Sequence, residues 1–425
     1  MIAWLLISFF VLLFLGVPIA MSLGLSAMGG ILFLGGGSTV TIAQRMFEGM
    51  NSFALLAIPL YTFAGFTMSK GGISKRLMDF CYSIVGHIYG GLAHVNVLSS
   101  MIFAGISGSA VADTAGVSGM FMPEMIRKGY SKNFTVAVTA ISSTIGIIIP
   151  PSIPMVVIAG ICGISTGKLF LGGIIPGILC GLAQMIVSYF LAKKEGVPKE
   201  PGHFTIGPVL HGLWESWPAL LMPIIIVGTI TMGIVSPTEA GVIAVVYGLF
   251  AGGIIYRELK WEDIKFAFAE TVRTSGRIFI VIGAAKLYTV MLTTAGFDKW
   301  VAKTMLGFST NPTVILIMIL LIFFIVTMFM ESIATLTLFM PILYPIALGV
   351  GINPIVLSVL ITVVIGIGLV TPPVGMCIYV ACDLMDTTVG EVFPTLVPFI
   401  AATFVCIALM VAFPQLILLP NYLMA

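Results

Sequence analysis

Long apolar runs constrain the fold of this chain more than any other feature of its sequence. The first run extends from Met1 to Leu34 without a charged residue, and we divide it into two helices at Gly16-Val17-Pro18. A helix needs about 20 apolar residues to span a bilayer. Further segments near that length begin at about Ser52, Phe134, Leu169, Trp217, Thr238, Ile278, Ile355 and Pro394. The sequence therefore predicts an all-α polytopic membrane protein with about ten transmembrane helices.

Charged side chains are too scarce for a water-soluble surface. Only 8% of the 425 residues are Asp, Glu, Lys or Arg, whereas soluble domains carry about a quarter. The first run is also far longer than the apolar core of a signal peptide, which has about 7–15 residues. We expect a multi-pass protein surrounded by lipid, with no nucleic-acid partner.

Two further apolar stretches are interrupted by small or polar residues. Ser107 to Asp113 interrupts the stretch 91–126, and Glu331 to Thr335 interrupts the stretch 311–345. Arms of about 11–17 residues reach about 16–26 Å, which is less than a hydrocarbon core of about 30 Å. Irregular backbone is tolerated at that depth only where protein or water surrounds it. We predict two re-entrant hairpins whose tips lie inside the membrane.

The basic residues test this arrangement. Fourteen of the 19 lysines and arginines fall on one side of the membrane, four fall on the other, and Lys286 lies within a span. Because basic residues concentrate on the cytoplasmic side, both termini are predicted to face outward. The alternative that Ser74 to His94 forms an eleventh span would break this agreement.

An internal repeat organises the chain. Ser109 matches Glu331 at an offset of 222, Pro150-Pro151 matches Pro372-Pro373 at the same offset, and Gly72 matches Gly296 at 224. Each half has an odd number of full crossings, so the second copy must be inverted. We predict a first repeat at 1–192, a cytoplasmic connector at 193–216 and a second repeat at 217–425.

The two Pro-Pro pairs lie within predicted helices at 134–160 and 353–380. Proline removes an amide donor and clashes with the preceding turn, so each pair is expected to break its helix and free the carbonyls of residues 146–149 and 368–371. Free carbonyls beside small and hydroxyl residues suit a hard cation. The alternative is that each pair only kinks a helix for packing.

Each hairpin tip carries one carboxyl group, Asp113 in the first and Glu331 in the second. An ionisable residue inside a membrane marks an ion or substrate pathway by default. A helix that begins just after a tip, with Thr114 or Thr335 near its first turn, would also favour an anionic carboxylate. The alternative is that Asp113 and Glu331 only cap the hairpin helices.

Two other features have competing interpretations. Lys286 either extends its amine to the membrane interface or neutralises a carboxylate. Gly105-Ile106-Ser107-Gly108 matches the pattern of intramembrane serine proteases, in which a histidine activates the serine, but all four histidines lie in arm or connector segments. The repeat is also left unexplained by a protease, so we do not expect an enzyme.

These motifs, taken together, resemble the large membrane subunit of tripartite ATP-independent periplasmic (TRAP) transporters, including the sialic acid type. The resemblance runs nearly end to end. It is carried by Gly90 to Val95, Ser107 to Asp113, Gly146 to Ser152, Ser236 to Gly241 and Gly368 to Gly375.

The resemblance implies a bacterial inner-membrane elevator transporter of the ion-transporter-superfamily type, with both termini periplasmic. Hairpins and broken helices would form the moving transport domain, and the other helices a scaffold. It implies sodium-coupled uptake of an organic acid, of the sialic acid or C4-dicarboxylate type. The implied partners are a soluble periplasmic binding protein and a small four-helix membrane subunit, expected here as a separate chain.

By the same resemblance, two sodium sites and the substrate contacts fall on particular residues. The sodium ligands would be Ser107, Gly108, Ser109, Gly146 and Pro150 in the first half, and Glu331, Ser332, Gly366 and Thr371 in the second. The substrate would contact Asp113, Thr114, Ser152 and Thr335. The alternative function is a sodium-dependent dicarboxylate or citrate symporter that needs no binding protein.

Overall fold

The computed structural model describes residues 1–34, 38–197 and 205–423. Every regular element in those ranges is a helix. The first half contains α1 Ile2–Phe14, α2 Ile19–Leu34, α3 Thr39–Met50, a 3₁₀ turn Phe53–Leu56, α4 Ala57–Lys70, α5 Ile73–Val85, α6 Gly91–Ser107, α7 Ala110–Arg127, α8 Lys132–Ser143, a 3₁₀ turn Thr144–Ile147, α9 Ile153–Cys162 and α10 Thr166–Glu195. The second half contains α11 Ile206–Thr231, α12 Pro237–Phe250, a π-helical turn Ala251–Ile255, α13 Trp261–Thr294, α14 Phe297–Phe308, α15 Pro312–Thr327, α16 Ser332–Gly349, α17 Pro354–Gly368, α18 Met376–Asp383, α19 Val389–Ala412 and α20 Gln415–Leu423.

Helix ends follow local sequence signals. Asn353 Oδ1 accepts a hydrogen bond from Ile355 N at 2.9 Å, and Pro354 opens the first turn of α17. Both residues suit a helix start, because the cap satisfies a free amide and proline lacks one. At the other end of a helix, Gly196 adopts a left-handed φ of 68° and ends α10.

Seven helices in the described ranges are long and apolar enough to cross a membrane. Six coincide with predicted spans, and the seventh, α16, is the second arm of a predicted hairpin. The first apolar run divides as expected, but α1 and α2 have only 13 and 16 residues. Gly16, with φ 81°, and Pro18 interrupt the run between them. The two helices are therefore only about 20 and 24 Å long.

Two expected boundaries differ in the structure. The hairpin arms have 16–18 residues rather than 11–17, and α16 continues through Pro341 and Pro345 to Gly349. Most of the described part of the predicted connector 193–216 is helical, since α10 extends to Glu195 and α11 already begins at Ile206. Residues 198–204 of that connector lie outside the described residues.

The two halves repeat the same order of elements. Ser109 and Glu331, which are 222 residues apart, both cap the second helix of a hairpin. Gly72 and Gly296 both precede an arm helix with φ 79°. One difference is that α13 is continuous over 34 residues, where the first half has α3, a 3₁₀ turn and α4. The inversion of the repeat across a membrane stays a prediction.

The core lies around the broken helices. Every residue from Phe134 to Ile148 and from Val356 to Gly368 is buried. In contrast, outer helices expose large apolar side chains such as Phe14 and Trp214, at 76% and 77%. Such a surface is stable only in an apolar environment, which agrees with an all-α polytopic membrane protein.

Candidate functional site

The first hairpin tip is joined to the first Pro-Pro break by backbone contacts. Gly108 ends α6 with φ 65°, and its carbonyl accepts a hydrogen bond from Ile153 N at 3.2 Å. A Cβ atom at Gly108 would lie 2.7 Å from the carbonyl oxygen of Pro151. Glycine is therefore required here both for the left-handed backbone and for the close approach.

Asp113 lies at the centre of this junction and is fully buried. Ser107 Oγ donates a hydrogen bond to its Oδ1. Its Oδ2 has no hydrogen-bond partner among the described residues and lies directly over the Cα of Gly146. A buried polar atom left without a partner costs about 1–3 kcal/mol or more when charged, so Oδ2 is a position that a bound cation would satisfy.

The first break supplies further oxygen atoms. The carbonyl of Ile147 accepts a hydrogen bond from Ser152 Oγ at 2.5 Å. Among the described residues, no donor reaches the carbonyls of Ile148, Ile149 or Pro150. The Gly146 carbonyl also receives no donor from the described residues. Of the predicted carbonyls 146–149, only that of Ile147 is therefore satisfied, because the Ser152 hydroxyl reaches back to it.

The second tip is also joined to its own break, since Val374 N donates to the carbonyl of Met328 at 2.9 Å. Glu331 is fully engaged, however. Its Oε2 accepts from the amides of Ile333 and Ala334 at 2.9 and 3.2 Å, and its Oε1 accepts from Ser332 Oγ at 2.8 Å. Glu331 is a helix cap in this structure, unlike Asp113.

The glycine that packs against the second tip is Gly368. A Cβ atom there would overlap Thr327 Oγ1 at the end of α15. Gly366 instead faces the first break, where its Cβ would lie 3.3 Å from Thr144 Cβ. The resemblance assigned Gly366 to the second sodium site, whereas the sequence analysis named Gly368 only for its carbonyl and did not name Thr327. The offset of 222 from Gly146 leads directly to Gly368 and would have identified it.

The predicted carbonyls of the second break are also only partly free. Gly368 and Leu369 accept from Thr371 N at 3.2 Å and Cys377 N at 2.9 Å. Of the predicted carbonyls 368–371, only those of Val370 and Thr371 receive no donor from the described residues. The Gly368 carbonyl is thus paired by a turn just before the second break, and the Leu369 carbonyl by the chain that folds back after it.

Three predicted substrate contacts use their hydroxyl hydrogens locally. Thr114 donates to the carbonyl of Ala110 at 2.9 Å, Thr335 donates to that of Glu331 at 3.1 Å, and Ser152 donates to Ile147. Thr371, a predicted sodium ligand, donates to Ile367 at 2.7 Å. A hydroxyl has one hydrogen, so in this conformation these groups accept hydrogen bonds but have none left to donate to an anion.

Ser107 is not arranged as a protease nucleophile. Its hydroxyl donates to the Asp113 carboxylate, whereas an activated serine donates to a general base, commonly a histidine. His94 instead bonds to the carbonyl of Tyr89, and His211 pairs with Glu215.

An all-helical membrane bundle with two interrupted hairpins, two broken helices and a buried carboxylate at their junction is the architecture of a membrane transporter. Residues 6–416 match the family described as tripartite ATP-independent periplasmic transporter, DctM component. The chain belongs to this family.

Relatives agree with this assignment. The isethionate TRAP transporter permease protein of Oleidesulfovibrio alaskensis is 37% identical over 393 residues, which are 92% of this chain but only 62% of that protein. The sialic acid TRAP transporter large permease protein of Vibrio cholerae is 35% identical over 96% of this chain and 95% of its own length. The C4-dicarboxylate TRAP transporter large permease protein of Pseudomonas aeruginosa is 35% identical over 95% and 94%.

A solved structure shares the fold. The YdaH transporter of Alcanivorax borkumensis superposes with a TM-score of 0.59 over 87% of this chain and 86% of its own, at 13% identity. At that identity the likeness concerns the fold alone. The predicted resemblance to a TRAP large membrane subunit is confirmed by the family match and by the relatives.

Proposed function

We propose that this chain is the transport subunit of a sodium-coupled importer of organic acids. One observation carries the proposal: Asp113 Oδ2 is buried, has no hydrogen-bond partner among the described residues, and faces Gly146 at the junction of the first tip and the first break. Sodium favours oxygen ligands, as other hard cations do. Ser107, Gly108, Ser109 and the free carbonyls of Ile148, Ile149 and Pro150 lie in the tip and break that meet there.

The cargo and partners are proposed from the family. The relatives are named for isethionate, sialic acid and C4-dicarboxylate, which are all organic acids, and we propose a sialic acid or C4-dicarboxylate type of cargo. A soluble periplasmic protein would deliver it, and a small membrane subunit would complete the scaffold in the bacterial inner membrane, with both termini periplasmic.

An elevator cycle fits the way the tips are held. Each tip is bonded by backbone to its own break, through Gly108 with Ile153 and Met328 with Val374. The tips and breaks would therefore move as one body, while α3, α4 and α11 to α13 remain as scaffold. Coupling arises if the anion is retained only when sodium neutralises Asp113.

Uptake into proteoliposomes tests the proposal. The chain is reconstituted with its small membrane subunit, and N-acetylneuraminate or succinate is supplied with the cognate binding protein. Inward uptake should require an inward sodium gradient and stop when potassium replaces sodium. Equal uptake in potassium would contradict sodium coupling. Uptake that persists without the binding protein would favour the binding-protein-independent symporter.

A further inference from the structure

A cavity lies between α3, α9, α13 and α16. It has a volume of about 190 Å³ and is formed by elements from both halves of the chain. Its lining comes from α3 and the following turn (Glu48, Gly49, Ser52, Leu55), from α9 (Val157, Gly160, Ile161), from α13 (Ile282, Lys286) and from α16 (Thr337, Pro341). The two proposed scaffold elements α3 and α13 thus face two helices that begin at a break and at a tip.

Lys286 is the basic residue of this cavity. Among the described residues, none forms a hydrogen bond or an ion pair with its amine. Glu48 lies in the same cavity but pairs with Arg45 at 2.7 Å. The Arg45 hydrogen bond, and next the positive charge of Lys286, lower the pKa of the Glu48 carboxyl. Glu48 is thus held by Arg45, and no carboxylate among the described residues forms an ion pair with the Lys286 ammonium.

The stem of Lys286 is fixed by close packing. A Cβ atom at Gly49 would lie 2.6 Å from Lys286 Cβ and 3.3 Å from the carbonyl of Ile282, so the backbone of α3 lies directly against the stem. Ser52 also lines the cavity, and its hydroxyl makes no hydrogen bond with the described residues. An ammonium group and a hydroxyl group are therefore both available as donors.

The cavity lies beside the proposed route of the solute. Thr337 is six residues after Glu331 on α16, and Gly160 is eight residues after Ser152 on α9. These separations correspond to about 9 and 12 Å along a helix. The charge distribution also predicts that Ser52 lies at the outward end of its span, the side from which a delivered solute arrives.

We propose that this cavity is a capture site for the acid group of the solute, in which the Lys286 ammonium and the Ser52 hydroxyl bind a carboxylate or sulfonate before it reaches the tips. The inference rests on the proposed uptake of organic acids. Of the two interpretations of Lys286, it adopts charge neutralisation. A lipid phosphate has related chemistry, and the test below separates it from the solute.

A charge-selective thiol reaction at Ser52 tests the capture site. Ser52→Cys places a thiol in the cavity and leaves Lys286 intact. It is reacted in phosphatidylcholine nanodiscs with two methanethiosulfonate reagents, one carrying a sulfonate and one a trimethylammonium group. Lys286→Gln in the same background should lower the ratio of sulfonate to trimethylammonium rates by about tenfold, since a nearby unit charge attracts one reagent and repels the other. The chain without Ser52→Cys gives the background from the half-buried Cys162.

Lys303→Gln is the matched control. It removes one exposed positive charge from the predicted outward side, where Ser52 also lies, and Lys303 does not line the cavity. The ratio of sulfonate to trimethylammonium rates should therefore stay unchanged. N-acetylneuraminate, succinate or isethionate should slow the sulfonate reagent when Lys286 is present and have no effect in Lys286→Gln.

Two results overturn the capture site. One is a rate ratio that Lys286→Gln leaves unchanged. The other is that none of these acids slows the reaction at Ser52→Cys, while anionic phosphatidylglycerol in the nanodisc abolishes the preference for the sulfonate reagent. That result would identify a lipid phosphate as the occupant. Because no sodium gradient is used, the outcome is independent of the uptake assay. If uptake proves independent of sodium but the rate ratio still depends on Lys286, the proposed sodium coupling is rejected and the capture site is retained.

Discussion

Gly146→Ala tests the proposed sodium site most directly. The added methyl group would fall well inside 3.0 Å of Asp113 Oδ2, a distance that real Cβ atoms essentially never show. The same methyl group would lie 3.7 Å from Ala110 Cα, which is ordinary contact. Relief therefore requires the carboxylate to move away from the first break by about 1 Å, and overpacking of this kind costs about 1–3 kcal/mol.

The consequence for sodium can be calculated. The cost of overpacking applies only while the carboxylate points into the site. It therefore weakens sodium binding by the same free energy. Since each 1.4 kcal/mol is a factor of ten, the sodium concentration for half-maximal uptake should rise about 5- to 150-fold. Initial uptake rates in proteoliposomes, measured against sodium concentration at a fixed concentration of loaded binding protein, give this value.

Gly116→Ala is the matched control. Gly116 lies on the same hairpin helix as Asp113, and a Cβ atom there meets nothing within 4 Å. Its sodium dependence should equal that of the wild type, and α7 should gain slightly in stability from the better helix former. An unchanged sodium dependence in Gly146→Ala would refute the placement of sodium beside Asp113 Oδ2. Sodium-dependent thermal unfolding in detergent separates loss of the site from loss of the fold.

Three further changes have distinct expected results. Asp113→Asn removes a buried charge but keeps the shape of the side chain, so the unfolding temperature without sodium should stay the same or rise. The stabilisation by added sodium should disappear. If sodium still stabilises this variant, Asp113 is not a sodium ligand. Glu331→Ala removes the cap from two amides and should lower the free energy of unfolding by about 1–2 kcal/mol. Glu331→Gln should lower it by less, because its side-chain amide oxygen still accepts a hydrogen bond. Equal losses of stability in the two variants would argue against capping. Gly49→Ala should lower the free energy of unfolding by about 1–3 kcal/mol, because the methyl group separates α3 from α13 at Lys286. Gly276→Ala on α13 should leave the free energy of unfolding unchanged, because a Cβ atom there meets nothing within 4 Å.

Local sequence determined the secondary structure and the positions of the interruptions. Apolar length predicted the helices, and the small residues at 107–109 and the Pro-Pro pairs predicted where the hairpins and broken helices would be interrupted. These features depend on few residues at a time, because a proline or glycine acts on the backbone of its own turn. The same local signals were less successful at helix ends, where α16 continues through two prolines.

The tertiary structure decided which polar groups remain free. The sequence placed one carboxyl group at each tip, but Glu331 is satisfied by two amides and a hydroxyl, whereas Asp113 Oδ2 is left without a partner in the described structure. Packing also placed Gly368 rather than Gly366 at the second tip, and Lys286 beside a cavity formed by both halves of the chain. The cap at Glu331 is local, and the offset of 222 leads to Gly368. The unpaired Asp113 oxygen and the position of Lys286, however, depend on atoms contributed by helices distant in sequence, and no periodicity or spacing along the chain contains that information.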